Sequence, residues 1–340
     1  MKPLRFAMLG CGYWSQFQLA GWMELEGAQP VALYNRTLSK AQALGERFGV
    51  ARTYDDVEKL LDSEELDFVD IVTNVETHAE IVDAAARRGL PVICQKPMAP
   101  DLPTAERMVQ TCLDADVPLW IHENWRWQHP IREFRRALAN PELGRVFRAR
   151  ITYSNSFPVF ENQPFLAELE RFILADMGSH ILDVARLLFG EPSSVYCRTT
   201  RITPGIHGED VATVVLGLAN QATVTCEISY ASKVEHDRFP ETFIHAECEG
   251  GSVELGPDFS LRVTTADGTM IRRCPPPRYP WADPAYGVVH AGIVACNENL
   301  LAGLRGNPAE TTGADNLKTV RLVHTAYRSA ARNACLPLDE

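Results

Sequence analysis

The sequence lacks the features of nucleic-acid-binding, membrane-spanning and disulfide-stabilised proteins. Its net charge is −11, and its adjacent basic residues are scattered pairs such as Arg87-Arg88 and Arg135-Arg136, which predict no basic surface for DNA or RNA. No apolar run approaches the ~20 residues that span a bilayer, and we expect no signal peptide before the first strand. Nine cysteines without a C-x-x-C pair favour reduced thiols. We therefore expect a soluble, cytoplasmic protein that binds neither nucleic acid nor membrane.

Metal-binding patterns and internal repeats are also missing. The nine histidines form no H-x-x-x-H motif and no cluster with cysteine, so we predict no metal site. The chain has 340 residues, of which 46% are apolar, and a prior of ~150 residues per domain favours two domains.

The first positive signal is an apolar run, Leu4–Leu9, that stops at Gly10 and Gly12 and continues as an amphipathic segment. This order predicts strand, tight turn and helix, with the glycines letting a pyrophosphate approach the helix N-terminus. Ser15 replaces the third glycine of G-x-G-x-x-G and adds a hydroxyl that can bond a phosphate. Asn35 lies 23 positions after Gly12, where such folds place the residue that reads the adenosine ribose. Taken alone, the pattern also fits an ordinary strand-to-helix turn.

The remaining pattern separates two regions. Up to residue 122, apolar strands alternate with helical segments, which predicts a doubly wound parallel sheet of the Rossmann type. From Val146 onward, short β-branched stretches follow one another across short turns, which predicts a large open mixed or antiparallel sheet with helices in an α/β domain. We therefore place a dinucleotide-binding domain at 1–122 and a second domain at 123–340. The strands predicted in the first region after Leu4–Leu9 are Val31–Tyr34, Phe68–Thr73, Leu90–Cys94 and Val117–Ile121.

Five motifs in this order resemble one known family. They are Gly10-Cys11-Gly12, Thr73-Asn74-Val75-Glu76-Thr77-His78 in place of T-P-x-x-x-H, Gln95-Lys96-Pro97 in place of E-K-P, Asp176-Met177-Gly178-Ser179-His180 matching D-x-G-x-H, and the closing helix Leu317–Arg332. Together they resemble the glucose-fructose oxidoreductase, inositol dehydrogenase and MocA family of NAD(P)-dependent oxidoreductases. The resemblance implies that 123–340 is a substrate-binding and oligomerisation domain. It also implies oxidation of a sugar or cyclitol hydroxyl, or the reverse reduction, in a homodimer or homotetramer.

The cofactor prediction concerns which dinucleotide is bound. Asn35 stands where NAD-preferring sites commonly carry a carboxylate, so the repulsion of an extra phosphate is removed. Arg36 can pair with that phosphate, and Thr37 adds a donor, which places NADP ahead of NAD. NAD stays possible, since Arg36 can instead stack on the adenine. The predicted cofactor-binding residues are Gly10, Gly12, Tyr13, Trp14, Ser15, Asn35, Arg36, Thr37, Thr73, Asn74, His78, Gln95 and Lys96.

The predicted catalytic residues are Lys96, Asp176 and His180. Lys96 follows the carboxyl end of a parallel strand, where ligands bind such sheets, although the neutral Gln95 supports it less than the family's usual glutamate. Asp176 and His180 are four residues apart, so they share one face if the segment is helical at both positions. A histidine side chain titrates at ~6.5, near working pH, whereas a carboxylate at ~4 is a poor base. The alternatives are a solvated turn lysine, an N-cap aspartate and a core histidine.

The predicted substrate residues add the segment after the last Rossmann strand. Aromatic rings beside polar donors suit a sugar, although tryptophans here equally suit packing between domains. Asp183 could orient His180, but is more often a helix-face carboxylate. The predicted substrate-binding residues are Lys96, Asn124, Trp125, Arg126, Asp176 and His180.

These features predict an NAD(P)-dependent oxidoreductase that acts on a secondary hydroxyl or ketone of a sugar, sugar derivative or cyclitol. Two alternatives come from the same fold. One is a dinucleotide-binding sensor or regulator without turnover, which would be expected to lose the lysine or the histidine. The other is an NAD-dependent glycosidase.

Overall fold

A computed structural model of the chain describes residues 2–235 and 237–338 and divides into two compact units. The first unit comprises Met1–Asn124, Arg278–Asp283 and His290–Val320, and the second comprises Trp125–Pro277, Pro284–Val289 and Arg321–Glu340. Each unit contains one sheet.

The first unit contains a parallel sheet whose central strands, Leu4–Leu9, Phe68–Ile71 and Val92–Gln95, are mostly apolar, as expected where helices cover both faces. Its order is β3-β2-β1-β4-β5-β6, so the direction of winding reverses between β1 and β4. Ligands bind at the carboxyl ends of the strands beside such a reversal. The order and the parallel pairing confirm the Rossmann prediction. The strands are β1 Leu4–Leu9, β2 Ala28–Tyr34, β3 Arg52–Tyr54, β4 Phe68–Ile71, β5 Val92–Gln95 and β6 Leu119–His122.

Helices follow the strands in alternation. Asp56 and Asp101 cap two of them, since their carboxylates accept the backbone N–H groups of Lys59 and Thr104 at 2.9 and 2.8 Å. The buried side chains of the strands and helices, Ile71 and Val92 among them, form one apolar core. The helices are α1 Ser15–Met23, α2 Leu38–Phe48, α3 Val57–Ser63, α4 His78–Ala86 and α5 Leu102–Asp114.

The second unit contains a mixed sheet of nine strands within the described residues, in the order β14-β13-β12-β11-β7-β10-β9-β8-β15. All neighbours are antiparallel except β7 and β10, so the predicted open mixed sheet is confirmed. The strands are β7 Val146–Ser154, β8 Pro192–Thr200, β9 Val211–Leu218, β10 Thr223–Ser229, β11 Phe243–Cys248, β12 Gly251–Gly256, β13 Ser260–Thr265, β14 Gly268–Arg273 and β15 Leu336–Pro337.

One face of this sheet is apolar and covered. On β7, Ala149, Ile151 and Tyr153 are buried, whereas Arg148 and Arg150 are exposed. This period of two is what a half-buried strand requires. Helices pack on the apolar face, with α6 against β12 and β13 and α8 against β9 and β10. The helices of this region are α6 His129–Leu138, α7 Val159–Asn162 and α8 Ile173–Phe189.

Two long helices close the chain, α9 Gly287–Leu304 and α10 Gly313–Arg332, and the division into units cuts through both. The sequence pattern predicts these helices at about Val288–Leu304 and Ala314–Asn333, and the structure confirms both to within one residue. Within the described residues, none of the helices combines the length and apolar character needed to cross a bilayer.

Candidate functional site

The turn between β1 and α1 has the backbone geometry of a phosphate-binding loop. Gly10 has a φ of +117°, which L side chains rarely adopt, and a Cβ there would lie 2.4 Å from the carbonyl oxygen of Val72. Gly12 is exposed, and a Cβ there would meet none of the described residues within 4 Å. The first glycine is therefore required for packing, while the second leaves the backbone open to a ligand at the N-terminus of α1.

The residue in place of the third glycine closes this turn. Ser15 is buried, and its hydroxyl donates to the carbonyl oxygen of Gly12 at 2.6 Å, so that the hydroxyl is used inside the turn. Tyr13 and Trp14 stand between them. The Tyr13 side chain is half exposed, whereas the Trp14 ring meets His290 edge-on with centroids 5.6 Å apart. Small size at Ser15 keeps α1 close to the strand, and its hydroxyl adds a bond that glycine could not make.

The end of β2 is tied to the same turn. The side-chain oxygen of Asn35 accepts the backbone N–H of Cys11 at 3.1 Å, and its NH₂ donates to the carbonyl oxygen of Thr37 at 3.0 Å. Arg36 and Thr37 are exposed beside it. Asn35 therefore shapes the loop where an adenosine ribose would bind, and the exposed Arg36 guanidinium is accessible to it.

The loops after β4 and β5 are held together by one buried histidine. The Nε2 atom of His78 lies 3.1 Å from the carbonyl oxygen of Thr73, and its Nδ1 atom lies 3.2 Å from that of Met98. Burial lowers the pKa of His78, and its hydrogen bonds to backbone carbonyl oxygens oppose that shift. Asn74 is exposed in the same loop. His78 is thus a bridge between two loops at the ligand-binding edge of the sheet.

Lys96 follows β5 at that edge and is half-buried. The side chain of Gln95 turns inward, where its oxygen accepts the backbone N–H of Lys96 at 2.7 Å and its NH₂ donates to Gln18 at 2.6 Å. Gln18 in turn donates to the carboxylate of Asp70. Gln18 and Asp70 were missed from the sequence. The signal was a single carboxylate within the otherwise apolar strand Phe68–Ile71.

In the second unit, α8 carries both Asp176 and His180. The helix begins at Ile173 with Phe172 as its N-cap, and the N–H of Asp176 donates to the carbonyl oxygen of Phe172 at 2.8 Å. The sequence pattern predicts a helix from Ser179 to Leu188, so the predicted start is late. The alternative that Asp176 is an N-cap is wrong, since this residue already lies within the helix. The two side chains are separated by one helical turn on one face, as the spacing predicted.

The imidazole of His180 is fixed by an aromatic ring. His180 is 4% exposed, and its ring stacks on Trp125 with centroids 4.8 Å apart and planes 24° apart. Trp125 is itself held, because its N–H donates to the hydroxyl of Thr242 at 3.0 Å and its ring meets Tyr153 edge-on. Trp125 therefore orients the predicted base from within the second unit.

Two tyrosines, one of which is in contact with Trp125, add hydroxyl groups to this part of the second unit. The hydroxyls of Tyr153 and Tyr230 lie 3.4 Å apart, and both side chains are buried. Burial raises the pKa of each phenol, and the negative charge of Asp176 contributes to the rise. Both phenols are therefore protonated and can donate hydrogen bonds. Neither tyrosine was selected from the sequence, because both read as ordinary strand residues.

Arg126 makes a buried ion pair. Its guanidinium donates to both carboxylate oxygens of Asp183, from Nε at 2.6 Å and from Nη2 at 2.5 Å. Arg186 adds a second cation, with Nη1 3.8 Å from the same carboxylate. Asp183 is completely buried, so this geometry compensates its charge with two arginines. The pair anchors the segment that carries Trp125 to helix α8.

The predicted site residues fall into both units. The first unit holds all the predicted cofactor-binding residues and also Asn124, which is buried, and the second holds Trp125, Arg126, Asp176 and His180. Among the described residues, three or more His, Cys, Asp or Glu side chains nowhere gather as a metal would require. The open backbone at Gly12 and the helix N-terminus beside it fit a dinucleotide pyrophosphate, and the loop at Asn35 fits its ribose.

A parallel sheet with a glycine turn of this kind defines a dinucleotide-binding fold of the Rossmann type. The family model described as "Oxidoreductase family, NAD-binding Rossmann fold" matches residues 4–123, and the model of the "GFO/IDH/MocA C-terminal domain" matches residues 131–254. The chain belongs to the glucose-fructose oxidoreductase, inositol dehydrogenase and MocA family. It is an NAD(P)-dependent dehydrogenase or reductase of sugars or cyclitols, as the sequence predicted.

Three relatives resemble the chain over almost its full length. D-apiose dehydrogenase of Paraburkholderia graminis is 39% identical and covers 99% of this chain and 90% of its own. D-apiose dehydrogenase of Rhizobium rhizogenes is 40% identical and covers 97% and 96%. The crystal structure of an oxidoreductase from Agrobacterium radiobacter with NAD⁺, L-tartaric acid and magnesium is 38% identical, has a TM-score of 0.97 and covers 99% of both chains.

Proposed function

We propose that this dehydrogenase oxidises D-apiose, or a sugar of similar size, with NAD⁺. Two relatives at 39 and 40% identity are named for D-apiose, and both align over nearly the whole chain. The observation that carries the proposal is the stacked imidazole of His180, since a buried and oriented base is what alcohol oxidation asks of the protein.

His180 serves as the base that accepts the hydroxyl proton of the sugar. Trp125 stacks on the His180 ring and fixes its orientation. The imidazole therefore loses less rotational freedom when it reaches the reactive geometry. Asp176 lies one helical turn away and binds a neighbouring hydroxyl as an acceptor. The bound nicotinamide supplies the hydride acceptor.

Lys96 contributes the positive charge that stabilises the sugar oxygen as it loses its proton. Its place at the carboxyl end of β5 supports this role, because ligands bind open parallel sheets at that edge. Asn124 and Trp125 complete the proposed substrate residues, whereas Arg126 is a positioning residue. Arg126 acts through its ion pair with Asp183, which holds Trp125 in position.

NAD⁺ is the proposed cofactor, although the sequence placed NADP first. The matching family model is described as NAD-binding, and the related structure at 38% identity contains NAD⁺. The side chain of Asn35 is used within the loop, which leaves the exposed Arg36 as the group that a ribose phosphate would meet. Arg36 then stacks on the adenine or pairs with a phosphate. Stacking on the adenine is compatible with NAD⁺, which lacks the extra phosphate.

The two regions of the chain have different proposed roles. We assign dinucleotide binding to residues 1–122 and substrate binding and assembly to residues 123–340. The exposed face of the second sheet presents both signs of charge, with Arg148 paired to Glu247 at 2.8 Å and Thr152 bonded to Glu227 at 3.1 Å. A surface of mixed charge can complement its own copy across a two-fold axis, so we propose a homodimer or homotetramer through this face. A monomer in light scattering at micromolar concentration would refute this assembly.

The test is a panel of sugars and cyclitols with NAD⁺ and NADP⁺, followed by nicotinamide absorbance. We expect reduction of NAD⁺ with D-apiose and lower rates with larger sugars. Chromogenic glycosides serve as the comparison for a glycosidase, which would release the aglycone without net reduction of the cofactor. Dinucleotide binding without turnover on any member of the panel would favour a sensor and contradict the proposal.

A further inference from the structure

A line of buried hydrogen bonds connects Asp70 to the backbone N–H of Lys96 in the first unit. It starts at Asp70 of β4, whose side chain is completely buried. The NH₂ group of Gln18 donates to both carboxylate oxygens of Asp70, at 2.7 and 2.9 Å, and the indole N–H of Trp22 donates at 2.7 Å. The amide of Gln18 and the indole of Trp22 are both neutral donors.

The line continues through two amides to the backbone. The side-chain oxygen of Gln18 accepts from the NH₂ group of Gln95 at 2.6 Å. The oxygen of Gln95 then accepts the backbone N–H of Lys96 at 2.7 Å. Gln18 is completely buried and Gln95 nearly so, which excludes water as a ready substitute for either bond.

The carboxylate decides which way both amides point. An ionised carboxylate only accepts hydrogen bonds, so Gln18 must direct its NH₂ group at Asp70 and its oxygen at Gln95. Gln95 must then direct its NH₂ group at Gln18, which leaves its oxygen for the N–H of Lys96. Burial raises the pKa of Asp70 to about 6 against the opposing hydrogen bonds, so the group is ionised at pH 8.

We propose that Asp70, Gln18 and Gln95 are positioning residues that hold the backbone of Lys96, and that Asp70 is the reason why position 95 carries glutamine and not glutamate. The role given to Lys96 rests on the proposed function, whereas the pairing of positions 70 and 95 does not. The inference accounts for the departure of Gln95-Lys96-Pro97 from the E-K-P pattern.

Glutamate at position 95 conflicts with Asp70. It has no NH₂ group, so Gln18 would have to turn and donate to it, and the oxygen of Gln18 would then face the Asp70 carboxylate. Asparagine at position 70 removes the conflict. Its NH₂ group can donate to the turned Gln18, and its oxygen can still accept from Trp22. Glutamate at position 95 is thus compatible with asparagine at position 70.

The test is a double-mutant cycle of Asp70→Asn and Gln95→Glu, followed by thermal unfolding at pH 8 without ligands. A buried polar mismatch destabilises the fold, so Gln95→Glu alone is expected to lower Tm by roughly 5 °C. In the Asp70→Asn background the same change should lower Tm by less than ~2 °C. Gln42→Glu, an exposed change on α2, is the matched control and should have equal effects in both backgrounds. Equal losses for Gln95→Glu in the two backgrounds would overturn the pairing.

Turnover of D-apiose with NAD⁺ provides the second readout. Gln95→Glu should lower kcat about tenfold with little change in KM for the sugar, and addition of Asp70→Asn should restore most of kcat. Equal kcat in all four proteins would overturn the positioning role. If Gln95→Glu lowers Tm less in the Asp70→Asn background, but none of the four proteins turns over any sugar, the pairing is supported and the proposed function is overturned. The two failures are therefore distinguishable.

Discussion

The two units each bury a carboxylate near a proposed catalytic side chain, but they treat its charge differently. In the second unit, Asp183 faces the guanidinium groups of Arg126 and Arg186. In the first unit, Asp70 receives hydrogen bonds from an amide and an indole. Cations compensate the charge of Asp183, whereas neutral donors only partly compensate that of Asp70, whose pKa rises to about 6 because of burial.

The comparison shows two ways to support a reactive group. Asp183 lies one turn beyond His180 on α8, and its ion pair fixes the segment next to Trp125. Removal of either partner of such a pair leaves an uncompensated buried charge. The line from Asp70 to Lys96 depends instead on the orientation of two amides, so it is sensitive to the identity of each residue.

Breaking the ion pair should have the largest effect on stability. Arg126→Leu removes the bidentate partner of a buried carboxylate and is expected to lower the free energy of unfolding by ~3–5 kcal/mol. Urea unfolding measures the loss. Arg145→Leu is the control, because the pair of Arg145 with Glu249 is exposed at the surface and should be worth less than ~1 kcal/mol. Similar losses in both variants would show that Asp183 does not depend on Arg126.

Removal of the proposed base should have the next largest effect. His180→Ala is expected to lower kcat ~100-fold or more, the usual result of losing a general base, with dinucleotide affinity nearly unchanged. Steady-state kinetics and a fluorescence titration of NADH would separate the two quantities. Turnover close to that of the unchanged protein would refute the assignment.

The charge of Asp70 should be visible in the pH dependence of stability. Between pH ~4 and ~6 the folded chain keeps a proton that the unfolded chain has lost, so the free energy of unfolding falls as pH rises through this window. The fall is up to about 3 kcal/mol. Asp70→Asn should remove this slope. The free energy of unfolding is measured against pH for the unchanged protein and for the variant, and the contribution of Asp70 is the difference between the two curves.

The difference curve is needed because another buried group acts in the opposite direction. Burial lowers the pKa of His290 to about 4, so its contribution to stability rises with pH over much of the same window. Asp55→Asn, at an exposed position, is the matched control for loss of a carboxylate. A slope that survives in Asp70→Asn would contradict a raised pKa at Asp70.

The smallest expected effect concerns the cofactor. If Arg36 meets a ribose phosphate, Arg36→Ala should cost roughly 1.5–3 kcal/mol with NADP⁺ and much less with NAD⁺. The ratio of kcat/KM for the two cofactors, before and after the change, measures this. Equal losses with both cofactors, or a preference for NAD⁺ above tenfold before the change, would indicate that Arg36 only stacks on the adenine.

Much of the fold could be predicted from the sequence because its signals are local. The alternation of apolar strands and helices predicted the first sheet, and Gly10 and Gly12 predicted the turn that the structure shows. Strand β14 was missed because every residue in it is exposed, so it lacks the alternation of a half-buried strand. The start of α8 was placed late because Phe172 gives no capping signal.

The polar networks could not be predicted because they join residues from distant parts of the chain. Asp70 and Gln18 are 52 residues apart, and Gln95 and Gln18 are 77 apart. Trp125 and His180 stack across a similar distance in sequence. An isolated carboxylate in a buried strand signals that a partner exists, but only the folded chain identifies it.

The central claim, hydride transfer from a sugar to NAD⁺, is tested most directly with D-apiose deuterated on its carbon atoms. Mass spectrometry of the nicotinamide product shows whether the hydrogen comes from the sugar carbon. The account predicts reduced cofactor that carries one deuterium for each sugar oxidised, and almost none formed by His180→Ala. Reduced cofactor without deuterium, or no reduced cofactor with D-apiose and the related sugars, would contradict it.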